Sequence, residues 1–317
     1  MHHSSLFLVS LLATGSSAHG VVTLIRGANG VDMPGLSIID GTPRDCSTNR
    51  CGSQADTAII RDREISSGRA GPLGRTQGGG PVNASTMVAV FMGAPGAPAP
   101  PNITDPEAAS VGVEDDLSGL PGRGGSRNAA RGLLDGILGG FDGLLGGGRG
   151  GNNGGGNGDG GQAPAAKTES NVAAMAGQGA TSGLPTCSDD GIITMVFHQI
   201  NQDGAGPIEA AVDGTSGGTD PAAFQPAEVT QDVPGLGFGG LSLATSRDFP
   251  LEVRMPEGMT CDGTVAGVEG VCVVRVRNNA LAGPFGGSAA FTMSPAARKR
   301  AIAYRMRKQK RARTFTA

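Results

Sequence analysis

The chain has 317 residues with 25 basic and 28 acidic side chains, a formal charge of −3, 56 Gly and 20 Pro, and only 3% aromatics, with no Trp and one Tyr. That length fits one large domain or two small ones, the clustered glycines take part of it out of any folded core, and the core must be built from Val, Ile, Leu, Ala, Met and Phe. Nine basic residues and no acid lie between Ser294 and Ala317, leaving 25 − 9 = 16 basic against 28 acidic elsewhere, a balance of −12; an acidic body with a short basic arm is not the composition of a duplex binder, and no nucleic-acid partner is expected.

Residues 1–18 read as a secretory signal: Leu6 to Ala13 is a short apolar run, and Ser16-Ser17-Ala18 supplies small residues before a cleavage point. The run is too short for a bilayer and no other stretch qualifies, so the expectation is a secreted protein without a transmembrane segment, in which disulfides can form. Cleavage after Ala18 makes His19 the mature N-terminus. Residues 19–92 read as the first part of a β domain, with strands at Val21 to Ile25 and Thr86 to Met92, a turn-rich stretch from Gly27 to Pro43, and a short helix or extended arm from Gln54 to Ser66. Cys46 and Cys51 are read as a local disulfide, because a zinc knuckle needs a second pair at similar spacing and there is none. Asn83-Ala-Ser85 and Asn102-Ile-Thr104 are glycosylation sequons, which place both asparagines on exposed loops.

Residues 93–171 read as a Pro/Gly-rich low-complexity insert. It contains a short duplication, Leu134-Asp-Gly-Ile-Leu-Gly-Gly140 and Phe141-Asp-Gly-Leu-Leu-Gly-Gly147, whose apolar residues share one helical face. Each Gly weakens such a helix by about 1 kcal/mol relative to Ala, and a tolerated insertion is preferred to a membrane or self-association helix. Residues 172–293 read as the second part of the domain. Ile192 to Ile200 is a buried strand that ends near His198, Asn201 to Pro207 is turn chemistry, and further strands are expected at Ile208 to Val212, Leu251 to Met255, Val265 to Val268 and, half-exposed, Val271 to Arg277. Cys261 and Cys272 flank a Gly-rich segment that they can close, which leaves Cys187 over. The basic tail, residues 294–317, opens with Ser294 as N-cap and Pro295 in the first turn. Short strands with turn-rich joins make the expected fold mostly β, a Greek-key β-sandwich in a single monomeric domain, with a long disordered Gly-rich insert and a basic C-terminal helix or tail.

Several stretches together resemble one family. Ala18-His19-Gly20-Val21-Val22, Asp45-Cys46 with Cys51-Gly52, Phe197-His198-Gln199 through Asp203-Gly-Ala-Gly-Pro207, and Val271-Cys272 through Ala282-Gly-Pro-Phe-Gly-Gly287 are similar to the appressorium-specific virulence proteins of plant-pathogenic fungi, of the Gas/Mas type. The resemblance covers both structured blocks but neither the insert nor the tail. It implies an infection factor needed for host penetration, acting on a fungal or plant cell wall or host surface component, secreted or alternatively retained within the appressorium, and it implies no particular reaction. The family commonly has a cysteine just after Gly-Pro-Phe-Gly-Gly, where this chain has Ser288, a departure that fits an unpaired Cys187.

A mature N-terminal His with a second His near a strand end is also similar to the copper brace of lytic polysaccharide monooxygenases. Amine and imidazole nitrogens suit Cu(II) in tetragonal geometry, so the ligands would be the amine and ring of His19 and the ring of His198, with Asp203 or Gln199 in the outer shell. The chain lacks the aromatic surface such enzymes use on sugar, its one Tyr being Tyr304 in the basic tail. The expectation is therefore a non-catalytic infection factor, with a copper-dependent oxidative enzyme on a wall polysaccharide as the alternative. No Gly-x-Ser-x-Gly elbow or phosphate-binding loop offers another chemistry.

Overall fold

A computed structural model describes residues 19–106, 161–202, 204–235, 240, 242, 244–280 and 282–315. The expected signal (1–18), the duplicated stretch (134–147) and Asp203 lie outside the described residues. The structure is mostly β. Its strands are β1 Gly20–Arg26, β2 Asp32–Pro34, β3 Ala58–Ile59, β4 Arg75–Thr76, β5 Gly80–Pro81, β6 Ile192–Gln199, β7 Glu209–Asp213, β8 Phe224–Gln231, β9 Arg247–Arg254, β10 Gly263–Val265, β11 Val268–Arg277 and β12 Phe285–Thr292. They form one antiparallel sheet in the order β2-β1-β6-β9-β8-β7-β11-β12-β3-β4-β5, with β10 paired to β11.

The run β6-β9-β8-β7 is a Greek key: three hairpin-connected strands, with a fourth lying beside the far one. The sheet curls until β12 comes alongside β1. There the Leu36 N–H donates to the Ser288 carbonyl at 2.8 Å, and a Cβ on Gly287 would stand 2.8 Å from the Val22 nitrogen. Val22, Phe197, Phe249, Leu251, Val274 and Phe291 fill the interior, each at most 1% exposed. Branched and aromatic side chains dominate because they pack well on a pleated, covered surface.

The helices are α1 Asp62–Ser66, α2 Ala84–Met92, α3 Asn171–Met175, α4 Gly179–Ser182 and α5 Pro295–Phe315. Helix α2 corrects the strand expected at Thr86 to Met92. The Asn83 side chain accepts from the Ser85 N–H at 2.9 Å, and Gly93 closes the last turn at φ 62°. The buried residues Met87, Val88, Val90 and Phe91 follow a helical stripe rather than a period of two. The strand expected at Val265 to Val268 is instead a hairpin turn joining β10 to β11, with Ala266 at φ 50° and Gly267 at φ 80°, two consecutive positive φ values that suit a tight two-residue hairpin. Strand β11 is more deeply buried than a half-exposed strand, since Val271, Cys272, Val273 and Val274 are all covered.

Both expected disulfides are present, Cys46–Cys51 and Cys261–Cys272, and Cys187 is free and buried. The Cys187 N–H donates to the Thr292 carbonyl. Ser288 lies four residues along β12, ~13 Å away, so a cysteine there could not have bridged to Cys187 within disulfide reach. The link between Ser288 and the unpaired Cys187 is therefore corrected by register. Asn83 and Asn102 are both exposed.

The stretch read as an insert contributes its two ends to the body. Asp40 forms a parallel bridge to Asn102, and Pro43 an antiparallel bridge to Thr168, so residues 40–43 run between the outgoing and returning chain. The Asp40 carboxylate accepts the Val172 and Ala173 N–H groups at 3.0 and 2.7 Å, capping α3. Beneath this junction Arg44 forks onto Asp56 and also donates to Glu169 at 3.0 Å, with all three residues at most 5% exposed. Burial opposes the Arg44 charge, but the two carboxylates hold its pKa above the ordinary arginine value. Breaking such a buried set from one side strands the remaining charges. Arg44→Met should therefore lower unfolding stability by about 3–5 kcal/mol, read as a drop in urea midpoint. A midpoint within error of the native one would show that the triad carries no such strain.

Candidate functional site

His19 and His198 are brought together by the pairing of β1 with β6. The register sets Gly20 against Gln199 and Val21 against His198, and the Ile200 N–H donates to the His19 carbonyl at 3.0 Å. His19 thus stands opposite Ile200, two positions from His198. Across an antiparallel pair this is the diagonal offset, about 7–8 Å or less between Cβ atoms, which two imidazoles can span.

The turn after β6 holds His19 in place. The His19 N–H donates to Asn201 Oδ1 at 2.7 Å. Close approach demands glycine here: a Cβ on Gly204 would lie 2.0 Å from the His19 carbonyl oxygen, and one on Gly20 would lie 2.4 Å from the Phe197 ring. Phe285, at the start of β12, packs its ring on that of His19 with centroids 4.2 Å apart and planes tilted by 34°. His19 and His198 are both buried, at 1% and 0% exposed.

His198 is oriented by Asp248. The two residues are register partners between β6 and β9, and His198 Nδ1 lies 2.7 Å from Asp248 Oδ1. With the carboxylate ionised, Nδ1 carries the proton and Nε2 keeps its lone pair. That Nε2 is buried and has no hydrogen-bond partner among the described residues. A carboxylate on one ring nitrogen, with the other left as a donor, is the arrangement that prepares a histidine to bind a metal. The chain returning from the insert supports it, because Gln162 and Asp248 exchange both backbone hydrogen bonds at 2.8 Å.

The sequence reading located the two histidines but not Asp248 or Phe285. Asp248 is 50 residues from His198 and reaches it only through strand pairing. Gln199, proposed for the outer shell, directs its amide elsewhere: Nε2 reaches the Asn201 carbonyl at 3.0 Å, Ser242 Oγ at 3.1 Å and the Ala244 carbonyl at 2.7 Å. It ties down Ser242 and Ala244. Asp203, the other outer-shell candidate, is outside the described residues. No cluster of three or more His, Cys, Asp or Glu side chains suited to a metal occurs among the described residues. Asp189 and Asp190 form a turn in which Asp190 pairs with Arg300 at 2.9 Å.

A family model described as Egh16-like virulence factor matches residues 17–286. The chain is 49% identical over 316 residues to the appressoria-specific virulence factor GAS2 of Pyricularia oryzae, covering 99% of this chain and 97% of the relative. It is 40% identical over 126 residues to the appressoria-specific virulence factor GAS1 of the same organism, covering 38% of this chain and 49% of that protein. No solved structure matches.

Asp248→Ala should leave the buried His198 Nδ1–H without its acceptor, at a cost of about 1–3 kcal/mol in unfolding stability. The imidazole ¹⁵N shifts should change from a single tautomer to a mixture. Native shifts in the variant would show that Asp248 does not set the tautomer.

Proposed function

The chain belongs to the Egh16-like virulence factor family, and from that premise we propose that it serves appressorial infection outside the cell, by contact with a wall or host-surface component. The carrying observation is 49% identity across 99% of the chain to a protein named as an appressoria-specific virulence factor. Two disulfides, and the absence of any helix long and apolar enough to cross a membrane among the described residues, are compatible with secretion. A strain lacking the gene should infect less efficiently and recover with the wild-type copy. Undiminished infection by the deletion strain would reject the role, and a secreted form that does not begin at His19 would reject the expected processing.

A second reading, favoured by the His198–Asp248 pair, is a copper protein with oxidative activity on a wall polysaccharide. The residues fit the metal: His198 Nε2 is a buried nitrogen without a described partner, the register brings His19 to the diagonal position, and Phe285 supplies the aromatic neighbour of His19 that the sequence did not locate. The amine of His19 and both rings would be the ligands, and copper would supply redox chemistry. Contact without catalysis remains the primary reading, since the only large apolar side chains exposed among the described residues are Ile302 and Met306, neither of them an aromatic platform for sugar. Processed protein should bind one copper per chain, and binding should be lost in His198→Ala and when an extra residue precedes His19. Copper retained by either variant would remove the metal site; copper bound without oxygen- or peroxide-dependent sugar oxidation would remove the enzyme.

A further inference from the structure

Helix α5 carries Arg298, Lys299, Arg300, Arg305, Arg307, Lys308, Lys310, Arg311 and Arg313 and no acidic residue. Its first turns are built into the body. The Ser294 hydroxyl accepts the Ala297 N–H at 3.1 Å, and Ala297 and Ala301 are buried. Arg298 donates to the carbonyl of disulfide-bonded Cys261 at 3.0 Å and to Asp262 at 3.2 Å, Arg300 to Asp190 at 2.9 Å, and Arg305 to the Thr260 hydroxyl at 2.9 Å. From Arg305 to Ala312 every side chain is exposed.

The basic residues of α5 are not all used by the fold. Lys299, Arg307 and Arg311 are exposed and form no ion pair with a described carboxylate. At about 100° per residue they fall within about 120° of one another and span about 18 Å along the axis, with Lys299 roughly opposite the buried Ala297 and Ala301 and Arg311 within about 40° of Ala297. Arg307 and Arg311 are four residues apart, a like-charge spacing that works against the helix. The macrodipole favours cations only in the last turn, so it does not account for a stripe that starts at Lys299.

We propose that this stripe is a binding site for a linear polycarboxylate, an acidic polysaccharide lying along α5. The inference rests on the reading that the protein works at a wall surface, and it names the class of polymer. Three observations favour this occupant. The stripe is purely cationic, so its complement is a row of anions. The large apolar residues exposed among the described residues, Ile302 and Met306, are too few to seat the helix in a lipid interface. The helix base is ringed by Asp189, Asp190, Glu257 and Asp262, carboxylates that a flat anionic membrane would have to face, whereas a thin chain need meet only the three exposed cations.

The test is binding of the purified, processed protein to polygalacturonate, measured against salt. The wild type should bind at low salt. K299Q/R307Q/R311Q should bind at least about tenfold more weakly, and the log–log salt slope should fall by about 2, from three contacts at roughly 0.7 each as for single-stranded polyanions. K299R/R307K/R311K should retain wild-type binding. All three residues are exposed, so unchanged circular dichroism and Tm would show that the fold is intact in both variants. Absent wild-type binding, equal binding by the Gln variant, or tighter binding to phosphatidylserine vesicles or poly(U) at equal anion concentration would each overturn the proposal. A protein needed for infection that ignores the polymer refutes this inference alone; one that binds the polymer but is dispensable for infection refutes only the virulence role.

Discussion

The pairing of β1 with β6 is the constraint on which the rest of the structure depends. It places His19, the first residue beyond the expected cleavage point, against the end of β6. It also supplies the strand that β9 extends on the other side, and β9 brings Asp248 to His198. A one-residue slip between β1 and β6 would turn every side chain of β1 to the opposite face. Val22 would leave Gly287 of β12 for the side that Val21 occupies, and His19 would lose its diagonal relation to His198. Both faces of β1 are covered, since Val21, Val22 and Ile25 are all at most 1% exposed, so the register is set by which neighbour each side chain meets rather than by exposure.

What could be read in the sequence was whatever a local pattern encodes. Strand β6 was legible from its β-branched run and the turn residues behind it, and both disulfides from spacing. The Ser294–Pro295 start of α5 was legible because capping is a contact within four residues. Thr86 to Met92 misled because a short apolar run looks alike in both periods; the deciding signals, Asn83 before it and Gly93 after it, were helix punctuation. Val265 to Val268 misled for the opposite reason: two valines suggested a strand, while Ala266-Gly267 between them turns the chain. Asp248 and Phe285 were not legible at all, since each reaches its histidine through sheet topology rather than sequence proximity.

The returning end of the insert shows how the fold accommodates an interruption of this length. The chain leaves after bridging Asp40 and returns to bridge Asp248 and Pro43, so the break lies between two tethered ends. Closing a loop costs free energy that grows only slowly with its length, which makes a long excursion tolerable when both ends are fixed. The fixing is done by buried charge: Arg44 joins Asp56 of the first block to Glu169 at the returning end of the insert. Both blocks fall in one compact unit, and Asp248, the partner of His198, is paired in turn with Gln162 of the returning chain.

The two proposed points of contact differ in kind, and the difference follows from where each lies. The histidine pair is buried at a strand end, with one ring locked by a carboxylate and the other packed on Phe285. Such a place can hold a small, strongly bonded group, and its strength depends on geometry fixed before binding. Helix α5 instead projects exposed side chains from a base pinned to the Cys261–Cys272 hairpin. Charges in water are individually weak and are screened by salt, so they act usefully only in number and only on a partner that is itself a row of charges. A wall polymer meets that condition and a single small anion does not. The buried pair can therefore decide whether the protein has chemistry, while the helix decides what surface it stays on, and neither function requires the other.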